Sequence, residues 1–362
     1  MLDAAWFLPV AGILAGAVLG AVARGIHFCT LSAIERHVYA NDNGGIRTWV
    51  LAAAVAIAAT QALSLSGLID LRSSFYLSSD FGWTGAIAGG LMFGFGMALV
   101  GTCGFGALVR LGGGNLRSLV ALIILGLAAL ATQRGLLALG RIRVVDNWAL
   151  DLSFAGDQSL GSLVSAALGT DAQTVTAFAA ILLLLAWVFR DPHYRRNYRG
   201  ISAATAIGGV IAFGWLATSW AAARSLYPIQ LEAGSFVVPV GDLLFQISAF
   251  TGTLPDYGVG LVVGVPLGAA IVAHTRDDVR WEACDDAREL GRHIGGAALM
   301  GIGGVLAMGC TIGQGMSAAS VLSVSAPLVM ISMLAGARLG LAYLLEGSLK
   351  AAFRFSPHAP AK

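Results

Sequence analysis

Charged residues are scarce in this chain of 362 residues, at 12% of the total, whereas soluble domains average about 25%. Hydrophobic residues make up 57% of the chain, and its mean hydropathy is +0.78. Apolar runs of about 17 to 25 residues, the length that a helix needs to cross a ~30 Å hydrocarbon core, recur along the chain. The composition therefore predicts a polytopic membrane protein embedded in a lipid bilayer.

Several function classes are disfavoured by what is missing. The net charge is +2, and there is no basic stripe with interleaved aromatics, so nucleic acid is not expected as a partner. The sequence contains no P-loop, which argues against nucleotide hydrolysis by this chain. The N-terminus, Met1-Leu2-Asp3, has neither the basic region nor the clear cleavage site of a signal peptide. We therefore expect no signal peptide and a first helix that is retained.

Cysteine is also scarce, with four in the whole chain. There is no Cys-x-x-Cys and no Cys/His spacing typical of zinc sites, so neither a disulfide framework nor a metal or cofactor site is predicted. Cys29, Cys103 and Cys310 lie at the ends of predicted apolar helices. Cys284 lies in a charged loop, and we expect it to be an exposed bystander.

Acidic residues are rare in the apolar segments, where Asp242 and Glu346 are the exceptions. Carriers coupled to protons or sodium usually need such groups within the membrane. The sequence therefore favours passive or channel-like movement of a substrate.

One glycine-rich stretch occurs twice, at 94–106 and at 301–315. In each copy a Gly-x-Gly pair lies in an apolar run, and a cysteine follows nine residues after the first glycine. Small residues allow helices to approach closely in membranes. The two copies are thus predicted to be equivalent halves of a pore or substrate site.

About nine spanning helices are expected, in an all-α fold. Their predicted ranges are 6–22, 49–69, 85–102, 118–139, 172–189, 201–222, 257–273, 294–309 and 326–345. The segment 235–250 carries Pro239 and Asp242 and is predicted to be re-entrant or superficial. Residues 70–82 are predicted to be interfacial, with Tyr76 among their aromatic anchors, and 141–171 to be extramembrane with a short surface helix.

Basic residues concentrate in cytoplasmic loops, and the most basic loop is 190–199. Placing it inside puts the N-terminus outside and the C-terminus inside, and makes the two copies of the repeat antiparallel. Inverted repeats with broken helices around a central site are typical of transporters. We therefore predict one membrane domain of two pseudo-symmetric inverted halves, 1–190 and 191–362, around a central constriction.

The three helix-end cysteines have a specific chemistry in such a fold. A dry helical core disfavours the charged thiolate, so each is expected to be a neutral, polarizable S–H donor. Such a donor suits a soft anion with a terminal sulfur. A membrane cysteine can also be a small apolar filler, but the equivalent repeat positions favour function for Cys103 and Cys310. For Cys29 the residues alone leave both interpretations open.

Polar and glycine neighbours complete the predicted site. Breaks at helix ends leave backbone N–H groups free to face an anion. The predicted substrate-contacting residues besides the cysteines are Gly101, Gly104, Gly309, Thr311, Gly313 and Gln314. Thr102 is expected to bond back to its own helix instead.

Basic residues near one mouth leave two interpretations open. Arg24, Arg110 and Arg117 either attract an anion or set the topology and extend to lipid headgroups. His274 and His293 are expected to be loop residues.

Three motifs together give a resemblance to a known family. They are Phe28-Cys29-Thr30-Leu31, the run from Gly101 to Gly106, and the run from Gly309 to Gly315. At these motifs the chain resembles the YeeE/YedE family of bacterial inner-membrane proteins, the thiosulfate transporters. The resemblance implies an hourglass-shaped protein with pseudo-twofold repeats and a narrow centre.

The same resemblance implies how the substrate moves. Thiosulfate would pass by S–H···S hydrogen bonds between three cysteines, which map to Cys29, Cys103 and Cys310. Family members often work with a small soluble sulfur carrier of the TusA type, which would lie on the cytoplasmic face. Some members are proposed to move selenium or other sulfur compounds.

Two other classes of function stay open at this point. A membrane thiol–disulfide oxidoreductase or sulfurtransferase would need reactive thiolates, usually with a resolving cysteine, and the missing Cys-x-x-Cys counts against it. A scaffold or accessory subunit would carry inert cysteines.

Overall fold

The computed structural model describes residues 2–225, 228–250, 255–284 and 286–348, with side chains from residue 6 onward. The helices are α1 (Leu2–Ile26), α2 (Thr30–Ala40), α3 (Gly44–Leu65), α4 (Trp83–Val100), α5 (Gly104–Gly112), α6 (Leu116–Gln133), α7 (Leu136–Val144), α8 (Leu160–Leu168), α9 (Gln173–Phe189), α10 (Tyr198–Ala222), α11 (Val238–Ser248), α12 (Tyr257–Thr275), α13 (Ala287–Leu306) and α14 (Ser325–Glu346). A π-helical segment, Gly313–Ala318, lies within a short helix at 311–320. Strands β1 (Asp80–Phe81) and β2 (Leu150–Asp151) form one small antiparallel pair.

The membrane class is confirmed. Seven helices of the described chain are long and apolar enough to cross a membrane, and two of them, Trp6–Ala40 and Trp83–Gly112, include a break. The remaining two predicted spans correspond to the 17-residue α9 and to α13, whose first turns are charged. Each predicted apolar run therefore coincides with a helix of an all-α polytopic membrane protein.

Three expectations about helix boundaries were wrong. The predicted span 118–139 ends early, because the N–H of Gly135 closes α6 on the carbonyls of Leu130 and Ala131 and a separate helix, α7, follows. His293 is not a loop residue but lies in α13, where it is 7% exposed. Asp286 caps this helix well before the apolar run begins, so polar residues form its first turns. His274 likewise falls in the last turn of α12.

Helices α1 and α12 pack backbone to backbone. A Cβ added to Gly12, Gly16 or Gly20 would collide with backbone atoms of α12 at successively later positions. Gly264 is in turn pressed against Ile13 and Ala17. The two helices therefore run parallel, and four-residue spacing of small residues in both permits the close approach.

Helices α4 and α13, which carry the two copies of the repeat, run antiparallel. Gly85 lies against Leu306 near one end of the pair, and Gly96 lies against Gly296 near the other. The predicted opposite direction of the copies is thus a feature of the structure. Helix α14 packs parallel to α4 on its other side, with Gly94 at Met333 and Ala98 at Gly340.

Residues 228–250, between α10 and α12, enter the protein and return. Phe236 reaches Phe105, with ring centroids 5.0 Å apart. Helix α11 then packs on α6, where Gly126 meets Val240, and ends beyond the ion pair of Arg134 with Asp242 at 3.0 Å. This agrees with the re-entrant segment predicted around 235–250.

Candidate functional site

Each of the three helix-end cysteines follows the same kind of backbone break. The residue two positions before the cysteine is left-handed in every case: His27 has φ 55°, Gly101 has φ 81° and Met308 has φ 55°. A left-handed residue commonly ends a helix. In this chain the cysteine then begins the next helix, so α1, α4 and α13 each stop and restart with a thiol at the start.

Cys103 and Cys310 cap their helices in the same way. The sulfur of Cys103 accepts the backbone N–H of Gly106 at 3.5 Å, and the sulfur of Cys310 accepts that of Gly313 at 3.4 Å. Cys29 stands at the start of α2 and makes no side-chain cap there. The two repeat positions therefore share the same sulfur cap as well as an equivalent place in the sequence.

The three cysteines lie close together in the fold. The Cys103 sulfur lies within electrostatic range of the sulfurs of Cys29 and Cys310 and faces the hydroxyl of Thr311. Cys103 and Cys310 are 1% and 0% exposed, whereas Cys29 is half-buried. The positive ends of three short helices thus meet at these thiols, which is an arrangement that favours an anion.

The two buried cysteines belong to half-helices that point away from each other. Helix α5 leaves Cys103 and ends with Gly112 packed on Pro266 of α12. Helix 311–320 leaves Cys310 and ends at Ser320, whose carbonyl accepts a hydrogen bond from Gln61 near the end of α3. The two half-helices therefore extend from the cysteines toward opposite faces of the protein.

Three residues that the sequence did not indicate lie beside Cys310 and the start of its half-helix. The Cys310 sulfur lies beside the hydroxyl of Ser235 and the backbone N–H of Phe236, both on the re-entrant segment. Tyr76 was predicted to be an interfacial anchor, but it is 2% exposed and its hydroxyl lies at Gly313. No local pattern marks these three residues, because they reach the site only through the tertiary fold.

Two buried hydroxyls beside the thiols have no hydrogen-bond partner within the described residues. They are those of Thr102 and Thr311, each in a residue that is 1% exposed. The expected back-bond of Thr102 to its own helix is therefore wrong. Buried polar groups are usually satisfied, so a substrate that offers hydrogen-bond partners would fit here.

Gln314 and the glycines of the breaks are all close to the centre. The Gln314 amide donates to the carbonyls of Ala307 and Met308 at 2.7 and 3.2 Å, and its oxygen accepts from Ser325 at 3.2 Å. Gly309, at φ 156°, packs against Gln314. Gly104 lies against Phe236, and Gly313 lies between Ser235 and Tyr76. These residues shape the two breaks.

The predicted arginines gather at one face, but they differ in their partners. Arg24 pairs with Asp278 at 2.7 Å, and Arg117 pairs with Glu289 at 2.7 Å. Arg110 donates to the carbonyl of Gly101 at 2.9 Å. Cys284 lies in a loop at this face, half-buried and away from the other thiols in sequence and fold.

The arrangement suits transient binding of a soft anion. Neutral thiols and backbone N–H groups are donors without a full charge, and weak successive sites hold an ion without trapping it. In the part of the chain that the structure describes, no group of three or more His, Cys, Asp or Glu could hold a metal ion.

Comparison with known proteins gives the same class. The family model described as "Sulphur transport" matches residues 27–339. The thiosulfate transporter TsuA of Escherichia coli (strain K12) is 23% identical over 349 residues, covering 90% of this chain and 92% of the relative. The thiosulfate transporter TsuA of Spirochaeta thermophila is 27% identical over 336 residues, covering 90% of this chain and 96% of the relative.

The family match covers the half-helix of Cys29, the whole first copy of the repeat and the second. It confirms the resemblance that the three cysteine motifs carry. The chain belongs to the sulphur transport family, and it is a membrane transporter rather than an enzyme.

Proposed function

We propose that this protein moves thiosulfate across the bacterial inner membrane through the site formed by Cys29, Cys103 and Cys310. The observation that carries the proposal is that three helix starts, each led by a cysteine, lie close together, with Cys103 and Cys310 buried and Cys29 half-buried. The names of both relatives, each a thiosulfate transporter, support the choice of substrate.

Thiosulfate matches the donors of the site better than sulfate does. Its terminal sulfur is a soft acceptor for the weak S–H donors of the cysteines. Its oxygens can accept from the backbone N–H groups at the helix starts and from the unpartnered hydroxyls of Thr102 and Thr311. Sulfate has no soft atom, so the thiols would replace its hydration poorly.

The residues take different parts in the proposed path. The half-buried Cys29 exchanges the anion with one face, and Cys103 and Cys310 carry it through the dry centre. Gly101, Gly104, Gly309 and Gly313 allow the breaks that expose backbone N–H groups. Thr311 contacts the substrate beside Cys103. Gln314 acts at the second break, whose carbonyls it holds.

The proposal also includes the orientation of the protein in the membrane, the symmetry of its halves, a cytoplasmic partner and the driving force of transport. The loop at 190–199 and the C-terminus would be cytoplasmic, and the halves 1–190 and 191–362 would be related by pseudo-twofold symmetry. A small TusA-like sulfur carrier would bind on the cytoplasmic side. Since few carboxylates lie within the spans, transport would be passive and drawn by consumption of the substrate.

Uptake into proteoliposomes that contain only this protein tests the proposal. We expect accumulation of thiosulfate and much less of sulfate, sulfite or selenite. Alanine at Cys103 or at Cys310 should abolish uptake, and alanine at Cys284, which lies outside the site, should leave it unchanged. Full uptake by both Cys103→Ala and Cys310→Ala would refute the thiol path. Accumulation of selenite in preference to thiosulfate would identify selenite as the substrate instead.

A further inference from the structure

Two adjoining cavities open at the face where α1 and α12 end and α6 and α13 begin. Their volumes are about 230 and 300 Å³, and both are lined by Arg110, Asn115 and Glu282. We call them together the vestibule. Its walls carry five arginines against three carboxylates, which leaves an excess of positive charge.

Part of the charge of the vestibule is compensated within the fold. Arg24 and Arg280 lie at Asp278, Arg117 lies at Glu289, and Glu282 accepts a hydrogen bond from Asn115 at 2.7 Å. Within the described chain, Arg110 and Arg292 have no carboxylate partner. Both guanidinium groups line the cavity of about 230 Å³, together with the carboxylate of Glu282 and the ion pair of Arg117 with Glu289, so a net positive charge is left there. The planar N–H forks of these two arginines suit an anion with several oxygens.

Arg110 also connects the vestibule to the central break. Its guanidinium donates to the carbonyl of Gly101 at 2.9 Å, and Gly101 is the left-handed residue two positions before Cys103. Val100, the last residue of α4, lines the same cavity. The vestibule therefore lies directly against the first break.

We propose that the vestibule is a second anion site, in which Arg110 and Arg292 bind the oxygen end of a divalent sulfur oxyanion. The proposal rests on the proposed function for the identity of the transported anion, but not for the existence of the site. Because guanidinium groups recognise oxygens and not sulfur, this site should accept sulfate as well as thiosulfate. Selectivity then belongs to the thiols alone.

Sulfate binding to the purified protein in detergent is the direct test, with calorimetry as the readout. Wild-type protein should bind sulfate, and Arg110→Gln or Arg292→Gln should weaken the Kd at least tenfold. Arg199→Gln removes an exposed arginine outside the cavities and should leave the Kd unchanged. The double variant Cys103→Ala/Cys310→Ala should also bind sulfate normally, since the central thiols are not needed.

Arg292→Gln guards against a trivial failure, because Arg110→Gln also loses the bond to Gly101 and could disturb the fold. Unchanged sulfate affinity in both arginine variants would overturn the proposal. So would loss of sulfate binding in the cysteine variant, which would place the anion at the centre instead.

Uptake adds a second readout that separates this proposal from the first. In wild-type proteoliposomes sulfate should inhibit thiosulfate uptake without being accumulated, and Arg292→Gln should weaken this inhibition about tenfold. If the wild-type protein takes up no thiosulfate, the proposed function fails while the sulfate affinity still decides on the vestibule. Inhibition that is equal in wild type and Arg292→Gln would count against the vestibule alone.

Discussion

Cys103 and Cys310 stand at the starts of two half-helices that point in opposite directions, and each sulfur accepts the N–H three residues ahead, at 3.5 and 3.4 Å. A helix N-cap accepts from the backbone through a lone pair. The proton of each thiol is therefore left to be donated elsewhere. One cysteine can thus hold the break in place and present an S–H group to a substrate.

This dual use predicts different effects of serine and alanine. Serine keeps an acceptor for the backbone N–H, whereas alanine loses the cap at a cost of about 1 kcal/mol. We expect Cys103→Ser and Cys310→Ser to unfold at nearly the wild-type temperature, with thiosulfate uptake reduced at least tenfold but measurable. The alanine variants should show lower stability and no uptake.

Thermal unfolding in detergent and uptake into proteoliposomes measure the two effects separately. Wild-type uptake by both serine variants would show that the soft S–H donor is unnecessary. Equal stability of the serine and alanine variants would show that a side-chain acceptor at this position contributes nothing to the cap.

Because α1 and α12 pack backbone to backbone, we expect a side chain added at a glycine between them to lower the stability of the protein strongly. A Cβ at Gly264 would collide with the backbone of α1 at Ile13. Overpacking costs typically about 1–3 kcal/mol, and backbone cannot rotate away, so Gly264→Ala should lose about 3 kcal/mol. Gly209→Ala is the matched control, because an added Cβ there has nothing within 4 Å. It should be neutral or stabilising by up to about 1 kcal/mol, as measured by denaturation in detergent.

The fold could be predicted from the sequence wherever long apolar runs carry the signal. All nine predicted runs coincide with helices, and the two glycine-rich copies run antiparallel, as α4 and α13 show at Gly96 and Gly296. The half-helices α2 and α5 were missed as separate elements. They are short, and what defines them is the left-handed residue before each cysteine, which at His27 no composition rule would indicate.

Of the candidate site, only the residues that lie within the repeated motifs could be predicted from the sequence. The three cysteines and their glycines were proposed as site residues from the repeat and the family motifs, and their role stays a prediction. Tyr76, Ser235 and Phe236 were not, because they come from segments distant in sequence that fold onto the second break. The partners of Arg24 and Arg117 were likewise unpredictable, since both carboxylates lie more than 150 residues away, at separations of 254 and 172.

Cys284 offers a test of the proposed orientation. It is half-buried in a loop at the vestibule face, whereas Ser153 is exposed near the opposite ends of the helices. If the vestibule faces the cytoplasm, a membrane-impermeant maleimide should label Cys284 only after the inner membrane is permeabilised. In a Cys284→Ser/Ser153→Cys variant, labelling should occur in intact spheroplasts. The reverse pattern would invert the topology and place the vestibule on the entry side.

Gln314 could have either of two roles at the second break: it holds the break in place, or it contacts the substrate. Its amide donates to the Ala307 and Met308 carbonyls and accepts from Ser325, so all its groups are used within the fold. Gln314→Leu would leave buried carbonyls unpaired, at a cost of about 1–3 kcal/mol. We therefore expect its thermal stability and thiosulfate uptake to fall together.

Ser325→Ala is the graded control for Gln314, because it removes only the contact at 3.2 Å and spares the two amide donations. It should lose less stability and retain most of the uptake. A Gln314→Leu variant that unfolds at the wild-type temperature but transports nothing would instead assign Gln314 to the substrate. If Gln314 only holds the second break in place, it affects transport through the position of Cys310. In that case alone do we expect the loss of stability and the loss of transport to go together.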